Sequence, residues 1–93
     1  MTDTVRYIVA YDIADDRERA STANLLEGYG FRRQKSLFEC RLTRGQLARL
    51  QRELTGLAIE TGFVIIYHVA ANALPLTVGE VPHFPDDDWA FIV

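Results

Sequence analysis

The residues with the clearest chemical content lie together near the N-terminus, in YDIADDRER at residues 11–19. Asp12 stands near the end of an otherwise apolar run, Tyr7 to Ile13, and Asp15, Asp16, Arg17 and Arg19 follow directly. Carboxylates are hard oxygen donors suited to Mg²⁺ or Mn²⁺, and arginines suit the oxygens of a phosphate. Side by side they describe a hard-cation and phosphate site. An Asp at a strand end has a second use, as an Asx turn or a helix cap. Asp15 and Asp16 already offer caps to the segment that follows, which makes Asp12 redundant in that role. A single carboxylate with waters and substrate phosphates holds Mg²⁺ loosely and is too little for a dedicated cage. Arg17 and Arg19 have two readings as well: phosphate contact, or a solvated helix face with Asp15 and Glu18 as local partners.

The charge distribution extends the phosphate argument. The net charge is -3, yet all ten basic residues lie at or before Arg52. Between Arg32 and Arg52 seven Lys or Arg stand against one acid, Glu39, while Glu80, Asp86, Asp87 and Asp88 make the end of the chain acidic. The whole-chain charge argues against a polyanion partner and the local charge argues for one. Arg32, Arg33 and Lys35 are its candidate contacts, although charged residues also protect an edge strand from aggregation. Other chemistries find little support. The single cysteine, Cys40, forms no intramolecular disulfide and sits on an apolar face. His68 and His83 lack metal-ligand spacing, Ser36 has no neighbouring base, and there is no glycine-rich phosphate loop.

The elements that must position these residues follow from periodicity. Val5 to Ile13 is apolar on both faces, the mark of a central strand. A first helix begins at Asp15 or Asp16 and turns Thr22, Ala23, Leu25, Leu26 and Tyr29 inward, to end at Gly28 or Gly30. Phe31 to Leu42 has period two, with Phe38, Cys40 and Leu42 on one face. It lacks an internal Gly, Pro or Asn, so one bent strand and two short ones are both open. Thr43 and Gln46 predict a capping box for a second helix, with Leu47, Leu50, Leu54 and Leu57 as its apolar stripe and Gly62 as its stop. Phe63 to Val69 is a strand. Leu74 to Val78 is a possible edge strand, since Pro75 cannot donate to a ladder. Trp89 to Val93 is a short final one. Helices interleave with strands in a chain of 93 residues, too short for a doubly wound sheet. The economical solution is α+β: a ferredoxin-like βαββαβ sandwich with extra C-terminal strands.

With these elements in place, YIVAYDIADDRERA, GYGFRRQKSLFECRLT and VIIYHV together resemble the CRISPR-associated family of small adaptation nucleases, the second core Cas protein, described as endoribonuclease-like. The resemblance covers about the first seventy positions and rests on YDI-x-DD-x-x-R with Gln34, Ser36, Phe38 and Glu39. It implies a homodimer in which Asp12 lies near the two-fold axis, so that two copies share one divalent metal. It also implies a metal-dependent endonuclease acting on RNA or DNA, an Arg at Arg19 for phosphate, and a C-terminal strand paired with the partner's sheet. Members form the central dimer of the complex that inserts spacers into CRISPR arrays with the CRISPR integrase. Lys35 departs from the pattern, which is often aromatic there, and replaces base stacking with phosphate contact.

The expectation is therefore one domain over residues 1–93, with 79–93 an extension toward a partner protomer. Asp12 is expected to be catalytic and to hold Mg²⁺ or Mn²⁺, with Arg17, Arg19, Arg32, Arg33 and Lys35 on nucleic acid. No apolar run reaches membrane-spanning length and no signal pattern opens the chain, so a cytoplasmic protein is expected. Two alternatives belong to the same fold: a non-catalytic architectural dimer on DNA, and a toxin-like ribonuclease.

Overall fold

The computed structural model describes residues 3–81. Its elements are β1 (Val5–Ile13), α1 (Asp16–Glu27), β2 (Gly30–Gln34), β3 (Leu37–Leu42), α2 (Arg44–Gly56) and β4 (Gly62–Val69). The sheet order is β2-β3-β1-β4, with every pairing antiparallel. This order interleaves two β-α-β units. α1 carries the chain from β1 past β3 to β2, and α2 carries it from β3 past β1 to β4. The two helices touch each other over one face of the sheet. The architecture is the α+β ferredoxin-like sandwich that the periodicity predicts.

The core lies between that face and the helices. Cross-strand register sets Val9 beside Phe38, Tyr7 beside Cys40 and Val5 beside Leu42. Val9, Tyr11 and Ile13 of β1 and Phe38, Cys40 and Leu42 of β3 are buried against Ala23 and Leu26 of α1 and Leu50 and Leu54 of α2. Burying a Leu or Phe of this kind contributes about 1.5–3 kcal/mol each. Both helix starts follow the sequence code. Asp15 caps α1 by accepting from the Glu18 amide, and Thr43 and Gln46 complete both arms of the capping box on α2.

The structure decides one reading that the sequence left open and differs from the expectations in two places. Phe31 to Leu42 is two strands joined by a tight turn at Lys35 and Ser36. Tyr11 holds that turn from outside: its amide donates to the Ser36 carbonyl at 3.0 Å and its hydroxyl to the Lys35 carbonyl at 3.1 Å. Tertiary hydrogen bonds thus replace the Gly or Asn of ordinary turn chemistry. The first difference is that α2 stops at Gly56, not near Gly62. Ala58, at φ 52°, supplies the left-handed residue past the helix end. Gly62 instead permits a close approach of two strands, since a Cβ there would stand 1.9 Å from the Asp12 carbonyl oxygen. The second is that Leu74 to Val78 is irregular, with Leu74, Leu76 and Val78 exposed. Arg6 pins the chain just before it by donating to the Ala70 carbonyl at 3.0 Å. Gly79 takes φ 95°, consistent with a turn. The expected strand Trp89 to Val93 lies outside the described residues. Among the described residues no helix is long and apolar enough to cross a membrane.

Among the described residues the other sheet face carries no helix. Phe63, Ile65 and Tyr67 of β4 are 38–54% exposed there. Ile8 and Ala10 of β1 share that face by alternation.

Two sets of stability results are expected. The first concerns glycines. Gly62→Ala forces the β4 start away from β1 and lowers stability by at least about 1–3 kcal/mol in urea unfolding. Gly45→Ala, in the first turn of α2 with open space around its Cα, raises it by about 0.4–1 kcal/mol. The second concerns pH. The Tyr29 hydroxyl, in the connection after α1, donates to Glu53 of α2. That bond, with Arg49 assisting, holds the Glu53 carboxyl below its ordinary 4.5. Burial and the same carboxylate push the Tyr29 phenol above 10.0. The Glu53 contribution is present above pH 4.5 and is lost as pH falls through its lowered value. The Tyr29 contribution is present below pH 10.0 and is lost as pH rises toward its raised value. Tyr29→Phe should flatten both arms of a plot of Tm against pH.

Candidate nucleic-acid and metal site at the end of β1

Asp12 is exposed at the C-terminal end of the central strand, on the helix-free side of the alternation. Its Cα partner on β4 is Phe63. A cavity of about 460 Å³ opens beside it, between β1, the first turns of α1 and the β2–β3 turn. Asp12, Asp16, Arg19, Arg32, Lys35 and Ser36 share its lining. The fold thus brings together residues up to 24 positions apart in sequence, and does so through the Tyr11 bonds to the turn.

The candidate residues divide by partner. Asp12 has no hydrogen-bond or ion-pair partner among the described residues. Asp15 is engaged as the cap of α1, and Asp16 pairs with Arg19. Arg19 also donates through Nη1 to the Ile13 and Ala14 carbonyls, at 3.0 Å each. It is therefore a clamp on the loop after Asp12 as well as part of the cavity wall. Arg17 is exposed on α1, outside the cavity lining. Arg32 lies with its guanidinium 5.3 Å from the Phe38 ring centroid. At that range a cation gains from the ring's negative face. Lys35 is exposed at the turn.

Arg33 corrects the sequence expectation. An irregularity in the β2–β3 register falls between Arg32 and Gln34. Strand alternation sets Arg33 on the face opposite Arg32, where it pairs with Glu39, the two side chains being 5% and 0% exposed. A guanidinium so placed does not reach a nucleic acid on the surface. Glu39, a specific part of the motif, is the buried half of this pair.

The donor set decides what one chain can do with a cation. No group of three or more His, Cys, Asp or Glu is gathered among the described residues. Of the two carboxylates lining this cavity, Asp16 is paired and Asp12 has no partner among the described residues, and a firm site for Mg²⁺ or Mn²⁺ needs further oxygen donors.

Glu18 and Thr61 were missed by sequence reasoning. The Glu18 carboxylate accepts from the Glu60 amide at 2.9 Å, the Thr61 amide at 3.0 Å and the Thr61 hydroxyl. The hydroxyl bond, followed by the Glu60 amide, holds the Glu18 carboxyl below its usual range. These partners lie more than forty residues away along the chain, so no local pattern announces them. Cys40 is inert: burial pushes its thiol up to about 12.

Known proteins share both this sequence and this geometry. The family model for CRISPR associated protein Cas2 matches residues 5–74. A protein of Mycobacterium tuberculosis named CRISPR-associated endoribonuclease Cas2 is 47% identical over 71% of this chain and 58% of its own length. This chain therefore spans a little over half of that relative. One of Thermus thermophilus with the same name is 45% identical over 75% of this chain and 76% of its own. Among solved structures, that of the hypothetical protein TT1823 from Thermus thermophilus superposes with a TM-score of 0.73. It is 41% identical and covers 86% of this chain and 99% of that one. A crystal structure of Streptococcus pyogenes Cas2 gives 0.66 at 27% identity, over 72% of this chain and 88% of that one. With motif, fold and sequence in agreement over the same residues, the chain belongs to the CRISPR-associated Cas2 family.

Proposed function

We propose that this protein is a homodimeric, nucleic-acid-binding subunit of CRISPR adaptation with metal-dependent endonuclease capacity, working with the CRISPR integrase in spacer acquisition. One observation carries the proposal. Asp12 is a carboxylate at the end of the central strand without a partner among the described residues, exposed on the side away from the helices and sharing a cavity with Arg32 and Lys35. The endoribonuclease names of the relatives support the nuclease half. The half-exposed Phe63, Ile65 and Tyr67 support the dimer, because an apolar sheet face of this kind gains by meeting a second copy. A two-fold axis on that face sets the two Asp12 carboxylates toward each other.

Each residue has a part in this scheme. Asp12 from both protomers would hold Mg²⁺ or Mn²⁺. When bound, the cation supplies polarisation of the phosphate and a water of lowered pKa. Arg32 and Lys35 hold the nucleic-acid backbone against the cavity, and Arg17 adds charge on the approach. Arg19 reaches the same wall but is first the clamp of the Ile13–Ala14 backbone. RNA and DNA present the same phosphodiester to these groups. An architectural dimer on DNA would use the same basic residues without the metal.

The direct test compares wild type with Asp12→Ala on single-stranded RNA and on duplex DNA, with Mn²⁺ and with excess chelator. Cleavage is expected only from wild type with metal, rising with dimer concentration. Equal cleavage by Asp12→Ala or in chelator overturns the metal site. Loss of cleavage with spacer acquisition intact assigns the dimer an architectural part in adaptation.

A second result follows from the division among the arginines. Arg32→Ala and Lys35→Ala should each reduce the salt slope of duplex binding by about one. Arg33→Ala should leave that slope unaltered. It should instead lower stability by about 3–5 kcal/mol, because the buried Glu39 loses this ion-pair partner.

A further inference from the structure

We infer that Glu18 is a positioning residue for Asp12, acting through Thr61; this rests on Asp12 being the metal-holding carboxylate proposed above. Asp12 has no side-chain partner of its own among the described residues, so its backbone aims it. That backbone is fixed from two directions. On one side Arg19 takes the Ile13 and Ala14 carbonyls. On the other side Thr61 takes the amides: Ala14 N donates to the Thr61 carbonyl at 3.1 Å, and Asp15 N to its hydroxyl at 2.9 Å. The next residue, Gly62, is the Cα partner of Ile13 and lies hard against the Asp12 carbonyl. Thr61 is thus the residue through which the α2–β4 loop meets the loop after Asp12.

Thr61 does not hold its own place. It sits in a surface loop that follows a left-handed Ala58. The Glu18 carboxylate fastens it, receiving the Glu60 amide, the Thr61 amide and the Thr61 hydroxyl. Three donors converge on two oxygens. A carboxylate suits them and a carboxamide does not, because its NH₂ would face donors. The same helix turn supplies both clamps, with Arg19 reaching back to the carbonyls and Glu18 reaching across to the loop. A side chain that fixes the orientation of a metal-holding group is worth about 10–100-fold in metal affinity or activity.

The test uses the full chain and four variants: Glu18→Gln, Thr61→Val, their double, and the conservative Thr61→Ser. Three quantities are measured: amide hydrogen exchange at Asp12–Asp15 and Thr61, Mn²⁺ affinity by electron paramagnetic resonance, and kcat and KM for cleavage of single-stranded RNA. Glu18→Gln and Thr61→Val are each expected to speed exchange at these amides and to lower Mn²⁺ affinity and kcat by about tenfold, with KM unaltered. The double variant should be no worse than either single one, and Thr61→Ser should behave as wild type. Wild-type exchange in both single variants overturns the inference. So does faster exchange with unaltered Mn²⁺ affinity, which would make Glu18 a brace of the loop alone. An Asp12→Ala control separates the two levels. If it loses Mn²⁺ affinity while Glu18→Gln keeps it, only the positioning role fails; if it keeps Mn²⁺ affinity and cleavage, the proposed metal site fails on its own.

Discussion

The Asp12 end of the sheet depends on how closely β4 approaches β1 where Gly62 meets Ile13. Only a residue without a Cβ can stand there, since one would lie 1.9 Å from the Asp12 carbonyl oxygen. Elsewhere along β1 the strands are set by pairs of side chains packing across the ladder. At this point the spacing is set by backbone against backbone. The consequence reaches both ways along the chain. β4 must begin at Gly62, so the loop from Leu57 must close within a few residues, which Ala58 allows by taking φ 52°. β1 must end just beyond Asp12, so its last carbonyls and the amides that follow need partners from other elements. Arg19 and Thr61 are those partners. An exposed carboxylate at a strand end would ordinarily be free to wander with its loop. Here the loop has its donors and acceptors met on both sides.

The sequence carries the elements better than the contacts between them. The capping box at Thr43 and Gln46, the central character of Val5 to Ile13 and the core identity of Phe38, Cys40, Leu50 and Leu54 are all local codes, and the structure contains each of them. Asp12 stands out in the sequence because its type contradicts its surroundings, and the structure leaves it exposed at the strand end. What was illegible depends on partners distant in the chain. The turn at Lys35 and Ser36 is stabilised by Tyr11, so its own residues announce nothing. Gly62 looked like a helix stop because glycine marks both helix ends and close approaches, and only the packed structure tells them apart. Glu18 looked like a local partner for arginine, whereas it bonds to residues across the fold.

Charge was legible in amount but not in direction. Seven basic residues between Arg32 and Arg52 suggest a single surface. Strand alternation breaks that surface up. Arg32 and Lys35 reach the cavity by Asp12, while Arg33 is turned to the buried Glu39. Arg49 is joined to Glu53 on α2. A basic segment in sequence is therefore not a basic patch in space. Of the five side chains expected on phosphate, one is buried and one is already a backbone clamp. Net charge governs long-range attraction to a polyanion, but contact belongs to the few cations whose partners are left to the ligand.

The helix-free face and the carboxylate interact in a way that neither has alone. Bringing two such faces together gains by covering Phe63, Ile65 and Tyr67, which stand half in water in the single chain. In the proposed dimer the same approach brings two Asp12 groups together, and like charges at short range oppose it. Apolar burial and carboxylate repulsion would then act against each other at the proposed two-fold axis. A divalent cation bound between them would remove the repulsion without touching the apolar burial. Binding the cation and closing the dimer would then favour one another by linkage, since whatever binds the closed form preferentially stabilises it. The rigidity of the loop after Asp12 decides how strong this coupling is. A carboxylate whose backbone swung aside would relieve the repulsion without metal, and the bonds of Arg19 and Thr61 to the backbone of residues 13–15 oppose that movement.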